Sequence, residues 1–141
     1  MATANKIELH IPSVMGNEKI AMDTAASMAK KMGFTEDRIE DLKTAVSEAC
    51  LNAIEHGNKM DTSTKVGITL KAEESSLHVT VKDEGRGMVK PSSPSIERKI
   101  KGKEKARGWG IFLIKRLVDE VKFGLGKKGG NVVKMIIYLE K

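Results

Sequence analysis

Glu48 and Asn52 lie four residues apart in the run Ser47-Glu48-Ala49-Cys50-Leu51-Asn52-Ala53-Ile54-Glu55-His56. That interval stacks two side chains on one face of a helix. A carboxylate there could take a proton while the neighbouring amide oxygen held a metal ion, as a nucleotide site requires. The spacing alone equally suits two solvated surface residues, so the pair needs support from elsewhere in the chain.

That support comes from two glycine pairs. The segment Asp83-Glu84-Gly85-Arg86-Gly87-Met88 follows an alternating apolar run and places an acceptor carboxylate at a strand end. The glycines beside it let backbone approach a flat ligand with no Cβ in the way, and an amino-bearing base such as adenine suits the carboxylate. The second pair sits in Arg107-Gly108-Trp109-Gly110, just before a helical pattern. Free N–H groups and the positive dipole end of that helix suit phosphates, with Arg107 as a charged clamp. The pairs stand about twenty residues apart, which does not fit the single tight strand-to-helix turn of a dinucleotide fingerprint.

The elements that must position these residues are legible from periodicity. Ile7, Leu9 and Ile11 alternate in a first strand ending at Pro12, and Ser13 is placed to cap a following helix. Ile20, Ala21, Ala25, Met28, Ala29 and Met32 give that helix an apolar stripe, and Gly33 stops it. With Met15 and Met22 the stretch holds four methionines, a core stripe whose flexibility would also suit an adaptable interface. Thr35 is the expected N-cap of a second helix, with Glu36 and Asp37 in its first turn. Ile39, Leu42, Val46, Ala49 and Ala53 form its buried stripe, which leaves Glu48 and Asn52 on roughly the opposite side.

After the break at Gly57-Asn58-Lys59, Val66 to Leu70 and Leu77 to Val81 read as a hairpin around Glu73-Glu74-Ser75-Ser76. Beyond Gly110 comes a helix predicted to turn Ile111, Ile114, Leu117 and Val118 inward. Two last strands, Val121 to Leu125 and Val132 to Leu139, flank the turn Gly126-Lys127-Lys128-Gly129-Gly130. Strands in adjacent pairs with helices between them predict an α+β two-layer sandwich, a mostly antiparallel mixed sheet with helices on one face.

A chain of 141 residues fits one domain, 1–141, able to bury roughly two-thirds of its unfolded surface. No apolar run is long enough to span a membrane, and the start of the sequence has no apolar signal core, so a soluble cytoplasmic protein is expected. The single cysteine, Cys50, reads as a small buried filler. The net charge is +6, and most of the excess is local: between Lys90 and Arg107 stand seven basic residues against two acidic ones. Such a segment attracts anions, whether nucleotide phosphates, an acidic protein or nucleic acid. It lacks the interleaved aromatics expected for binding single strands, so nucleic acid is disfavoured.

Taken in order, Glu48-x-x-x-Asn52, the D-x-G-x-G box from Asp83 to Gly87 and Gly108-Trp109-Gly110 resemble the ATP-binding superfamily of DNA gyrase, the heat-shock chaperone, sensor histidine kinases and mismatch-repair ATPases, known as GHKL or the Bergerat fold. Within it, the run Ile39 to Ala53 and the short length are similar to anti-sigma-factor serine/threonine kinases of the RsbW type. The resemblance covers essentially the whole chain. It implies that Glu48 accepts the substrate hydroxyl proton, that Asn52 coordinates Mg²⁺, and that Asp83 recognises adenine. It also implies ATP contacts at Gly85, Gly87, Met88, Arg107, Gly108, Trp109 and Gly110, with an ATP lid at about 88–107. His56 could support the site from just beyond Asn52.

The same resemblance implies partners: an RNA polymerase sigma factor held idle, a STAS-domain anti-anti-sigma protein as substrate, and a homodimer. Two positions depart from the pattern. Trp109 stands where leucine is more usual, and Gly130-Asn131-Val132-Val133 stands where many relatives place a threonine, so one ligand contact is expected to be missing. The leading reading is therefore a protein-serine kinase. Its alternative is an ATP-binding partner switch without significant transfer. A detached histidine-kinase catalytic domain is disfavoured because no phosphoacceptor helix precedes the fold.

Overall fold

The computed structural model describes residues 5–85 and 109–139. Strand β1 (Asn5–Pro12) is followed by helices α1 (Glu18–Met32) and α2 (Glu36–Asn52), a π-helical turn (Ala53–Gly57), strands β2 (Lys65–Ala72) and β3 (Ser76–Lys82), helix α3 (Trp109–Leu117) and strands β4 (Glu120–Leu125) and β5 (Asn131–Tyr138). The strands form one sheet in the order β1-β2-β3-β5-β4. Every described pairing in it is antiparallel. The chain is the expected α+β fold.

Register follows from the alternation. Ile7 faces Leu70, Leu70 faces Val79 and Val79 faces Met135, so one continuous apolar row crosses four strands toward the helices. Leu70, Val79 and Met135 are buried in that row, and α2 contributes Leu42, Val46 and Ala49 from above. A one-residue slip would turn every such side chain to the other face, so burial fixes the pairing.

α1 packs with Ala21, Ala25, Met28 and Ala29, whose small side chains let it lie close to α2. Ile20, however, is 51% exposed, and Met15 is exposed as well. Ile20 lies about 100° around the helix from Ala21, just off the buried face. Ser13 does not cap α1. The helix begins at Glu18 with Asn17 as its N-cap. Ser13 is instead buried, donating to the Thr64 carbonyl at 3.2 Å and lying 2.9 Å from the Thr64 hydroxyl. Thr35 does cap α2, its hydroxyl accepting from the Arg38 N–H at 3.3 Å. On α3, Ile114 and Val118 are buried as expected and Leu117 partly so, but Ile111 is 45% exposed. The first turn of α3 meets α2 through Gly110, which is buried, while Ile111 and Phe112 on its other side stay exposed.

Among the described residues no helix is long and apolar enough to cross a membrane.

Candidate active site

The topology delivers Asp83 to the middle of the sheet. β3 is a central strand, flanked by β2 and β5, and its ladder continues one step past Lys82, where the Asp83 N–H donates to the Asn131 carbonyl at 3.1 Å. The side chain is only 8% exposed. Oδ1 accepts from the N–H groups of Gly85 and Asn131, both at 2.9 Å. Oδ2 accepts from the Asn131 amide at 3.3 Å, and a carboxylate oxygen can take a second donor. A buried carboxylate with one oxygen clamped and one accepting weakly is a ready acceptor for an amino group.

Two glycines crowd this carboxylate. A Cβ built on Gly57 would overlap the Asp83 side chain, and one built on Gly130 would overlap the Asp83 carbonyl. Gly130 also holds φ +82, and Gly85 holds φ +73, conformations that favour glycine. The space around Asp83 therefore depends on side chains that are missing.

Gly57 reaches Asp83 through the way α2 ends. Past Asn52 the helix widens into the π-helical turn, with the Asn58 N–H donating to the Ala53 carbonyl at 2.8 Å. Lys59 and Met60 then take positive φ and end it. Such turns often mark functional positions. Asn58 emerges fully buried. Its Oδ1 accepts from the Glu84 N–H at 2.7 Å, while Nδ2 donates to Ser13 Oγ at 3.0 Å and to the Lys65 carbonyl at 3.1 Å. Glu84 closes the loop by accepting from the Lys65 N–H at 2.6 Å. One amide thus ties the end of α2 to the residue after Asp83.

One turn earlier on the same helix stand Glu48 and Asn52. Both are partly buried, which excludes a freely solvated face. The start of α3 lies over them: a Cβ on Gly110 would stand 2.7 Å from Glu48 Oε1 and 3.4 Å from Asn52 Nδ2. Glycine at this point lets a helix N-terminus, with its free N–H groups, approach the carboxylate and amide directly. Gly57 follows Asn52 by five residues, about 7 Å along a helix axis. The Glu48–Asn52 pair and the Asp83 pocket therefore occupy successive levels of one helix.

The oxygens of Glu48 and Asn52 are hard donors of the kind Mg²⁺ accepts. Among the described residues no three His, Cys, Asp or Glu side chains gather as a metal cluster. That donor set fits an ion that takes one or two protein oxygens and the rest from phosphate and water. His56 is exposed within the π-helical turn. Gly87, Met88, Arg107, Gly108 and the lid at about 88–107 lie outside the described residues, as does the Trp109 side chain.

Sequence reasoning did not single out Asn58 or Asn131 as site residues. Asn131 lies within the run Gly130-Asn131-Val132-Val133 that departs from the family pattern, and its side chain and backbone both bind Asp83.

Residues 12–137 match the family described as the histidine kinase-like ATPase domain. The chain belongs to that family. It is 36% identical over 146 residues to serine-protein kinase RsbW of Bacillus subtilis strain 168, covering 96% of this chain and 87% of that protein. It is 30% identical to the anti-sigma F factor of Anoxybacillus flavithermus, covering 97% and 94%. Among solved structures, the RsbU and RsbW domains of Rv1364c from Mycobacterium tuberculosis superpose with TM-score 0.67 at 20% identity, over 97% of this chain and 33% of that one. The SiaB–SiaC complex from Pseudomonas aeruginosa gives TM-score 0.67 at 13% identity, over 93% and 88%. The two structures show that the fold is shared.

Proposed function

We propose that this protein is an ATP-dependent serine/threonine kinase of a partner-switching pathway, one that phosphorylates a STAS-type anti-anti-sigma protein and holds an RNA polymerase sigma factor idle. The full-length similarity to serine-protein kinase RsbW and to an anti-sigma F factor supports the reading. The structural observation that supports it is the approach of Gly110 to Glu48 and Asn52, which brings a carboxylate, a side-chain amide and the start of a helix together.

In this mechanism Asp83 Oδ2 receives the adenine amino group, and Asn131 orients the carboxylate. The α3 N-terminus faces the phosphates. Glu48 accepts the proton of the attacking hydroxyl as its oxygen bonds to the γ-phosphorus; the bridging P–O bond breaks and its electrons leave with ADP. Phosphoryl transfer asks chiefly for positioning and charge neutralisation, which these groups provide. Asn52, with phosphate oxygens, would hold Mg²⁺, which supplies neutralisation of phosphate charge when bound. The proposal extends to a single kinase domain with its ATP lid at about 88–107, acting in the cytoplasm as a homodimer without direct nucleic-acid or membrane contact.

The deciding experiment incubates the protein with Mg-ATP labelled at the γ-phosphate and its cognate STAS protein. A labelled STAS protein is expected. Nucleotide binding without any phosphoprotein would leave only the switch-without-transfer alternative.

A further inference from the structure

The sheet has two edges, and they are finished differently. At β1 the helix-side residues Ile7, Leu9 and Ile11 pack against the core, and on the outer face Lys6 and Glu8 pair at 3.3 Å. At β4 the helix-side residues Phe123 and Leu125 are 45% and 64% exposed. On the outer face Lys122 stands directly opposite Lys134 of β5, while the neighbouring Glu120 carboxylate on that face accepts from the Tyr138 hydroxyl. Neither lysine forms an ion pair among the described residues. Like charges directly across a ladder destabilise it unless an anion lies over them. Natural edges are blunted by charge, short length or cover, yet here two large apolar side chains stay open on an edge strand.

We propose that the β4 edge binds an extended segment of a partner protein in which apolar and acidic residues alternate. An added strand projects successive side chains to opposite faces. Its helix-side residues meet Phe123 and Leu125, and its outer-face residues meet Lys122, with Lys134 beyond. That two-sided demand specifies the alternation.

Two other occupants fit the edge less well. The chain's own segment from Lys90 to Arg107 is itself net basic. Nucleic acid would want open ring faces for stacking, but Lys115 Nζ lies 5.9 Å from the Phe123 ring centroid and Arg116 lies 5.7 Å from that of Phe112.

The test uses the full chain and a fluorescein-labelled octapeptide alternating Leu and Glu. Controls are Leu₄Glu₄, an alternating Leu–Lys octapeptide and an octathymidylate. The alternating acidic peptide is expected to bind at least tenfold tighter than each control and to shift the amide resonances of residues 120–125. The double variant Lys122→Glu/Lys134→Glu, which changes only exposed residues, should weaken it at least tenfold and leave ATP affinity unchanged; Phe123→Ser/Leu125→Ser should do the same. Equal binding of Leu₄Glu₄, shifts confined to other strands, or preference for the oligonucleotide overturns the proposal. So does conversion from dimer to monomer by Phe123→Ser/Leu125→Ser, which would assign the edge to a second copy. ATP affinity is read separately, so this inference and the kinase reading can fail independently.

Discussion

Gly57 lies against Asp83 so closely that a single added methyl group would occupy the space of the carboxylate. In an ordinary helical position Gly→Ala stabilises by roughly 0.5–1 kcal/mol. Here the overlap is with a buried side chain already held by three hydrogen bonds, so the carboxylate must leave its partners or the turn must open. Either response displaces the adenine acceptor. Gly57→Ala is expected to weaken ATP binding at least tenfold in titration calorimetry; an unchanged affinity would show that Asp83 does not meet the base.

Glu48 and Asn52 share one helix face but are assigned different tasks, and substitution should separate them. Glu48→Gln keeps shape and hydrogen-bonding reach but cannot take a proton, so ATP affinity should hold while transfer falls by about 10²–10⁴-fold. Asn52→Ala should instead abolish the Mg²⁺ dependence of ATP binding. Phosphotransfer by Glu48→Gln at the wild-type rate would remove the assigned base. Both variants should melt within a few degrees of wild type, because neither residue belongs to the buried core.

Asn58 is the strut between the end of α2 and the Asp83 loop. Its side chain satisfies the Glu84 N–H, Ser13 Oγ and the Lys65 carbonyl, and it is fully buried. Leaving such groups without partners costs about 1–3 kcal/mol each. Asn58→Ala should lower unfolding free energy by about 2–4 kcal/mol in urea and weaken ATP binding through the freed Glu84 backbone. Asn58→Asp keeps the acceptor for Glu84 but loses both donations, so it should retain more ATP affinity than Asn58→Ala. The reverse order would mean that Glu84 is held by something else.

The strands and their faces were readable because alternation is local: Ile7, Leu9 and Ile11 announce a half-buried strand within five residues. α2 and its Thr35 cap were legible for a similar reason, and Glu48, Asn52, Asp83 and Gly110, singled out by short spacings, are brought to neighbouring places by the fold. Ser13 misled because a serine before a helix and a serine buried under a loop look alike in sequence; the Thr64 that engages it is 51 positions away. Asn58 and Asn131 act through comparably distant bonds, to Ser13 and Asp83, for which no periodicity exists. Ile111 and Phe123 continue apolar patterns, yet both are exposed, Phe123 because β4 is an edge strand, a place in the sheet order that no local pattern announces. The π-helical turn had no signature beyond the glycine that closes it.

Cys50 gives a prediction that depends on burial rather than on the active site. The thiol is fully buried, and burial, with Glu18 nearby as the lesser cause, pushes its pKa up to about 12 from 9.0. The folded protein therefore holds this proton over a pH range in which the unfolded chain releases it. Stability from Cys50 is fully present below pH 9 and is lost as pH rises toward 12, with a slope of at most about 1.4 kcal/mol per pH unit. The informative quantity is the difference between wild type and Cys50→Ala, which cancels every contribution the two proteins share. Urea titrations at pH 8, about 9.5 and about 10.5 should show wild type losing stability faster than the variant above pH 9. Parallel curves would mean that the thiolate is as well solvated in the fold as out of it. The native thiol should also resist a disulfide reagent until the protein unfolds, since only the thiolate attacks.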